Sequence, residues 1–285
     1  MGTTVLNDSL VDGLRGRQES LQQQASELRD QAAGALQQAA ALERFAADLQ
    51  PFVLANRLAA TPVVVLTAEA ADADAVDEAA AALEMAGAQI VTTISVQASM
   101  TGANGSDAQG LATLLGLPEG TAPEDLMDEA AGALAARLAS GPARAQDPQE
   151  DLLGRLLSGG FVVAPALSDA GLLGVGGPEQ VVIAIGGGSA ASRSASEGFL
   201  APLVANLAEL EVLTVAAEGS DPTSTFVSTV RDRTAAGGLV TVDGLDQAVG
   251  GSALVLGIDS ATLTGQGGSW GVGDQASQPL PPPPA

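Results

Sequence analysis

The feature that most constrains this chain is a seven-residue return of leucine through its first fifty positions. Leu14, Leu21, Leu28, Leu42 and Leu49 keep the interval, with Ala35 in the remaining place. Val11, Ala25, Ala32, Ala39 and Ala46 stand three residues ahead of them, and Gln18 interrupts that second series. Written as a heptad, leucine is at d and mostly alanine at a, which puts both sets on one narrow stripe of a helix. From Val11 to Leu49 such a helix is roughly 58 Å long at about 1.5 Å per residue. Small residues at a let two helices approach closely, so the stripe predicts a coiled coil and a homodimer joined through it. The flanking positions are mostly Gln (Gln22, Gln24, Gln31, Gln38), so paired charges do not set partner or orientation. The same stripe could instead pack on the chain's own domain, but its narrowness and the polar opposite face favour self-association.

Pro51 is expected to end this helix, with a short helix over Phe52–Ala59 leading into a different pattern. Pro62–Leu66 reads as a buried strand, Asp72–Ala86 as an Ala-rich helix closed by Gly87, and Gln89–Val96 as a second strand. A strand, a helix and a strand in that order make a parallel βαβ unit. Helices are expected over Ser106–Leu115, Glu124–Ala139 and Pro148–Leu157, then at about Ser196–Leu210 and Pro222–Arg231. Strands are expected at Phe161–Ala164, Gln180–Ile185, Val212–Ala216, Leu239–Val242 and Ala253–Ile258. The fold class that fits is α/β: a long coiled-coil helix over 1–50, then a doubly wound, mostly parallel, Rossmann-like sheet domain over 51–273. After Ile258 the chain reads as a Gly-rich loop, with Gly265, Gly267, Gly268, Gly271 and Gly273 around Trp270, and 274–285 as a disordered Pro-rich tail.

Absent residue types bound the chemistry. The chain has no His, no Cys and no Lys, so all 11 basic residues are Arg. That removes the Ser-His-Asp triad, the Cys–His pair, the Schiff-base lysine and the Walker A lysine. The chain is therefore not expected to be an enzyme, and no cofactor is expected. A formal charge of −23 opposes contact with nucleic acid, which needs clustered basic residues. No apolar run is long enough to span a bilayer, and the residues after Met1 lack the pattern of a signal peptide.

Few constellations could hold a ligand. Gly186, Gly187, Gly188 and Ser189 follow a strand and precede a helix, where α/β folds often cradle phosphate, although a tight turn explains them as well. Asp72, Asp74, Asp77 and Glu78 could hold a hard cation, but acids in the first turn of a helix also favour its macrodipole. No metal is expected; if copper is bound, thioethers are the remaining soft ligands, at Met85, Met100 and Met127. Trp270 is either an exposed anchor for a partner or a plug over the edge of the domain, the second being preferred.

The layout resembles an actinobacterial envelope family, the MctB-type copper transporter proteins, which includes the cell-division protein SteB. The resemblance lies in the coil running through Leu42–Phe45 into Pro62–Leu66 and in the βαβ segment VVVLTAEAADADAVDEAAAALEMAGAQIVTTISV. It continues in VVIAIGGG and in VTVDGLDQAVGGSALVLGI followed by GSWGVG, up to about Gly273. It implies an extracytoplasmic domain in the cell envelope, anchored by a membrane helix ahead of the coiled coil that this chain does not contain. Anchors side by side would make the homodimer parallel. The resemblance also implies a choice between two roles. One is a scaffold for cell division and peptidoglycan hydrolase regulation, with a SteA-like membrane partner and a coiled-coil peptidoglycan hydrolase. The other is copper transport or efflux. Short β-runs between helices and few aromatics do not suit a pore barrel, and copper's usual ligands are missing, so the scaffold is the expectation.

Overall fold

The computed structural model describes residues 3–142, 150–165, 167, 169–172, 174–234, 237–273 and 276–282. For 3–16, 19, 169, 170 and 191 it describes the backbone alone. The chain divides into two compact units, Met1–Asp48 and Leu49–Ala285.

In chain order the elements are α1 (Thr3–Leu54), β1 (Pro62–Ala68), α2 (Ala73–Met85), β2 (Gln89–Val96), α3 (Gly105–Leu115) and α4 (Pro123–Ser140). Next come α5 (Leu152–Ser158), β3 (Val162–Val163), α6 (Asp169–Leu172), β4 (Val181–Gly186), α7 (Ala190–Ala195) and, after a π-helical turn at Ser196–Leu200, α8 (Ala201–Glu209). The last are β5 (Thr214–Glu218), α9 (Phe226–Arg233), β6 (Val240–Val242), α10 (Ala248–Thr264) and β7 (Gly268–Trp270).

The fold is mixed α/β. The described strands form one sheet in the order β3-β2-β1-β4-β5-β6-β7, parallel throughout except for the β2–β3 pair at one edge. Successive side chains of a strand face opposite ways, so the apolar runs of β1 and β4 supply two cores. Val64, Leu66, Ile94, Val182 and Ala184 pack with Leu111, Leu134, Phe199 and Leu203 on one face. Val63, Val65, Ile183 and Ile185 pack with Leu54, Leu83, Leu254 and Ile258 on the other. Burial on both faces is what lets these strands be almost wholly apolar.

Several expectations need correction. Pro51 does not end the first helix, which runs to Leu54. Gln50 Nε2 donates to Glu78 Oε1 (2.7 Å) and to the Ala248 carbonyl (2.8 Å), and Leu54 is fully buried. Residues on both sides of Pro51 are thus held by tertiary contacts, which outweigh the lost helical hydrogen bond. The short helix over Phe52–Ala59 is correspondingly only the end of α1 followed by turns.

Ala253–Ile258 is not a strand but the middle of α10. That helix is buried nearly all round, so its sequence shows no polar face to reveal a helical period. Gly268–Trp270, read as loop, is the edge strand β7. The helix expected over Pro222–Arg231 starts only at Phe226, because Asp221 Oδ1 accepts from Thr223 N and Thr223 Oγ1, closing a turn first. Pro148 lies outside the described residues, and α5 begins at Leu152, capped by Asp151.

Candidate functional site

The helical unit is considered first. Leu21 and Leu28 are each 65% exposed, Leu42 is 60% exposed and Leu49 41% exposed. Ala32, Ala35 and Ala39 are exposed, while Ala25 and Ala46 are half-buried. The side chains of Val11 and Leu14 lie outside the described ones. A leucine row on water costs free energy unless something covers it. Reading the sequence by its a and d positions alone overlooked Leu36, Phe45 and Phe52, which are also exposed. They fall at e and g and widen the stripe, a signal that the same heptad register contains.

The second region is the carboxyl edge of the sheet, where β1 and β4 lie side by side and the chain leaves them in opposite directions; open α/β sheets commonly bind ligands there. The Gly186–Ser189 loop sits at this edge, and its glycines are accounted for by the protein around them. A Cβ on Gly187 (φ +89°) would lie 2.9 Å from Ser224 Oγ, and one on Gly188 (φ +92°) 2.7 Å from the Ala70 carbonyl oxygen. Both hold a conformation that L-residues avoid, and both are wedged against neighbouring loops. Ser189 Oγ caps α7 by accepting from Ser192 N, and Arg193 Nη1 donates to the Gly188 carbonyl (3.1 Å) and to Thr223 Oγ1 (3.0 Å).

Carboxylates dominate the rest of this edge. Glu218, at the end of β5, accepts from Ser224 Oγ and Val227 N, which satisfies an otherwise orphaned amide in the first turn of α9. Burial pushes its carboxyl above the usual range, against the lowering effect of those hydrogen bonds. The Thr223 amide and hydroxyl hold Asp221 below its usual value. Desolvation lowers the Arg231 guanidinium, partly countered by Asp243, whose Oδ2 lies 3.8 Å from Nη2. Asp246 accepts from Ser220 N and Oγ. Arg193, which donates to the Gly188 carbonyl, also lies 4.0 Å from Asp221 Oδ2, so the cation beside this loop is paired with a carboxylate. Ser224 and Glu218 form a hydroxyl–carboxylate pair engaged in capping.

The other candidates are dispersed. Asp72 Oδ1 accepts from Asp74 N (3.0 Å) and Ala75 N (3.5 Å) as the cap of α2, and Glu78 is engaged by Gln50. Asp74 and Asp77 lie in the opening turns of the same helix. Met100 is in the core on one face of the sheet, whereas Met85 packs against the core on the other. Met127 lies on α4, near Gly198, so the three thioethers do not converge as one site. Among the described residues no group of three or more His, Cys, Asp or Glu is placed to hold a metal ion. Trp270 is buried in β7 against α10, where a Cβ on Gly257 would come within 3.1 Å of its ring. That is the geometry of a plug. A cleft of about 860 Å³ opens at the opposite, amino end of the strands, beside Pro62, Val181 and Leu213, and carries Glu179, Glu209 and Glu211 on its walls. Among the described residues no helix is long and apolar enough to cross a membrane.

Comparison with known families places this geometry in context. The family described as "Copper transport outer membrane protein, MctB" matches residues 1–281, and the chain belongs to that family. No curated protein matches it.

Proposed function

We propose that this family member is a non-enzymatic envelope scaffold: a parallel homodimer joined by a coiled coil along α1, whose Rossmann-like domain and coil dock protein partners. The observation that carries this reading is the row Leu21, Leu28 and Leu42, each at least 60% exposed on the part of α1 that lies in the first compact unit, Met1–Asp48. Heptad spacing supplies the partner's chemistry, since an identical stripe on a second chain covers it. The strand order, with β1 and β4 central, supports the Rossmann-like description. By the same resemblance the partners are a SteA-like membrane protein and a coiled-coil peptidoglycan hydrolase, and the anchor is a membrane helix ahead of α1 holding the domain on the extracytoplasmic side. The reading excludes nucleic acid as a partner, for which a charge of −23 is the support.

A second reading, copper transport, rests on the family's own description. The dispersal of Met85, Met100 and Met127 and the absence of His and Cys weigh against a copper site built by one chain. Titration with Cu(I) and Cu(II) against a chelator of known affinity separates the two. No stoichiometric binding by the chain is expected; tight binding that Met100→Ala abolishes would instead favour copper handling. The scaffold is tested by mass in solution and by whether partner capture disappears together with dimerisation when the leucine row is made polar.

A further inference from the structure

Among the described residues Phe52 is the most exposed large apolar side chain, at 83%. It stands in the last turns of α1, within the unit Leu49–Ala285. The heptad register that puts leucine at d makes Leu49 d, Gln50 e, Phe52 g and Val53 a. Gln50 is turned into the domain by its hydrogen bonds to Glu78 and to the Ala248 carbonyl. The chain's own domain therefore lies against the e side of these turns, and Phe52, on the g side, is left facing water.

On the domain side of the same turns is a cleft of about 190 Å³, walled by Val53, Arg57, Leu256, Asp259, Leu263 and Leu280. Leu280 belongs to the stretch expected to be a disordered tail. The described part of it, 276–282, turns back beside β7, where Gly271 N donates to the Gln278 (3.3 Å) and Pro279 (3.2 Å) carbonyls. Val53, Leu256, Leu263 and Leu280 make the walls apolar, and the Arg57–Asp259 ion pair (3.2 Å) stands among them. Leu263 is 64% exposed, so the wall itself lacks cover. An apolar cavity of about 150 Å³ accepts a benzene ring, so this cleft has room for one aromatic side chain.

We propose that in the dimer Phe52 of each protomer inserts into this cleft on the other. The inference rests on the parallel homodimer proposed above and adds to it a contact between the two Leu49–Ala285 units. In a parallel pair a g residue of one helix faces the e position of the following heptad on the other, and for Phe52 that position is 57. Because α1 ends at Leu54, what stands there is not another helical turn but Arg57, at the cleft. The ring then packs on Val53 and Leu263 of the other protomer, with the Arg57 guanidinium against its face. Two-fold symmetry makes the contact twice. In an antiparallel pair g faces g, which takes Phe52 away from the cleft, so the contact also fixes the orientation of the dimer.

The chain has no cysteine, so single ones report contacts cleanly. Full chains carrying Phe52→Cys and Leu263→Cys, one of them with a mass tag, are co-expressed and treated with a short bismaleimide. The linked product should be the mixed pair rather than either like pair. In sedimentation, Phe52→Ser should weaken the dimer by at least about tenfold with the leucine row intact. Leu263→Glu should do the same, and the double variant should be little weaker than either, because both remove one contact. Both positions are exposed in the single chain, and an unchanged circular dichroism spectrum verifies the fold. Linkage of like pairs in preference to the mixed pair, or a Phe52→Ser dimer as tight as the unchanged one, would overturn this contact and leave the coil standing. An unchanged chain that sediments as a monomer would overturn the dimer and this contact with it.

Discussion

Replacing Leu21, Leu28 and Leu42 together by Gln puts the proposed dimer at direct risk. Gln is a good helix former, so the substitution removes packing while leaving the local preference for helix almost intact. Each of these leucines is 60–65% exposed in the single chain. Complete burial of a leucine contributes about 1.5–3 kcal/mol, so covering some two-thirds of one contributes about 1 kcal/mol at the lower end. Three leucines on each of two chains then contribute about 6 kcal/mol, equivalent to roughly four powers of ten in the dimer Kd. Sedimentation equilibrium at micromolar concentration should give twice 28.0 kDa for the unchanged chain and 28.0 kDa for the variant. Helical signal should fall with the dimer, because an unpartnered helix is marginal in water. A variant that keeps the doubled mass would refute the seam, and an unchanged chain that sediments as a monomer would refute the dimer itself.

Three further outcomes are expected. Trp270→Ala should destabilise the sheet domain by about 3–5 kcal/mol in urea unfolding, the usual loss for emptying a buried aromatic site; a loss under about 1 kcal/mol would contradict the plug. Thr92 Oγ1 is buried without a hydrogen-bond partner, so Thr92→Val should leave the domain as stable or raise its stability by about 1 kcal/mol. Glu218 has its pKa raised in the folded state by burial, so folding binds its proton more tightly than the unfolded chain does. The stability this gives is complete below the unfolded value of 4.5 and is lost as pH rises through the folded value. Relative to Glu218→Gln, the unchanged chain should therefore lose stability as pH rises from 4.5 towards neutrality; parallel unfolding profiles would contradict this.

Much of the fold was legible in the sequence where the signal is local. β2 matches its expected bounds, and β1, α2 and β4 begin or end within two residues of theirs, because clean apolar runs and caps such as Asp72 mark them. The candidate sites were less legible. That Gly187 and Gly188 answer to Ser224 and Ala70 cannot be read from GGGS, since those neighbours come from other turns. Nor does the pattern PLPP show that the tail returns to α10.

The sequence by itself determined the long N-terminal helix and its leucine stripe, the alternation of strands and helices after Pro62, and the exclusion of nucleophile–imidazole and lysine chemistry. Each depends on periodicity along the chain or on which side chains exist at all, and neither needs a distant contact. Tertiary structure alone decided that α1 continues through Pro51, that Ala253–Ile258 is helical, that Met85 and Met100 are parted by the sheet, and that Trp270 is covered. In each of these the local preference was weak or ambiguous. The outcome followed from what the segment packs against: Glu78 and Ala248 for Gln50, apolar neighbours around α10, and α10 for the tryptophan.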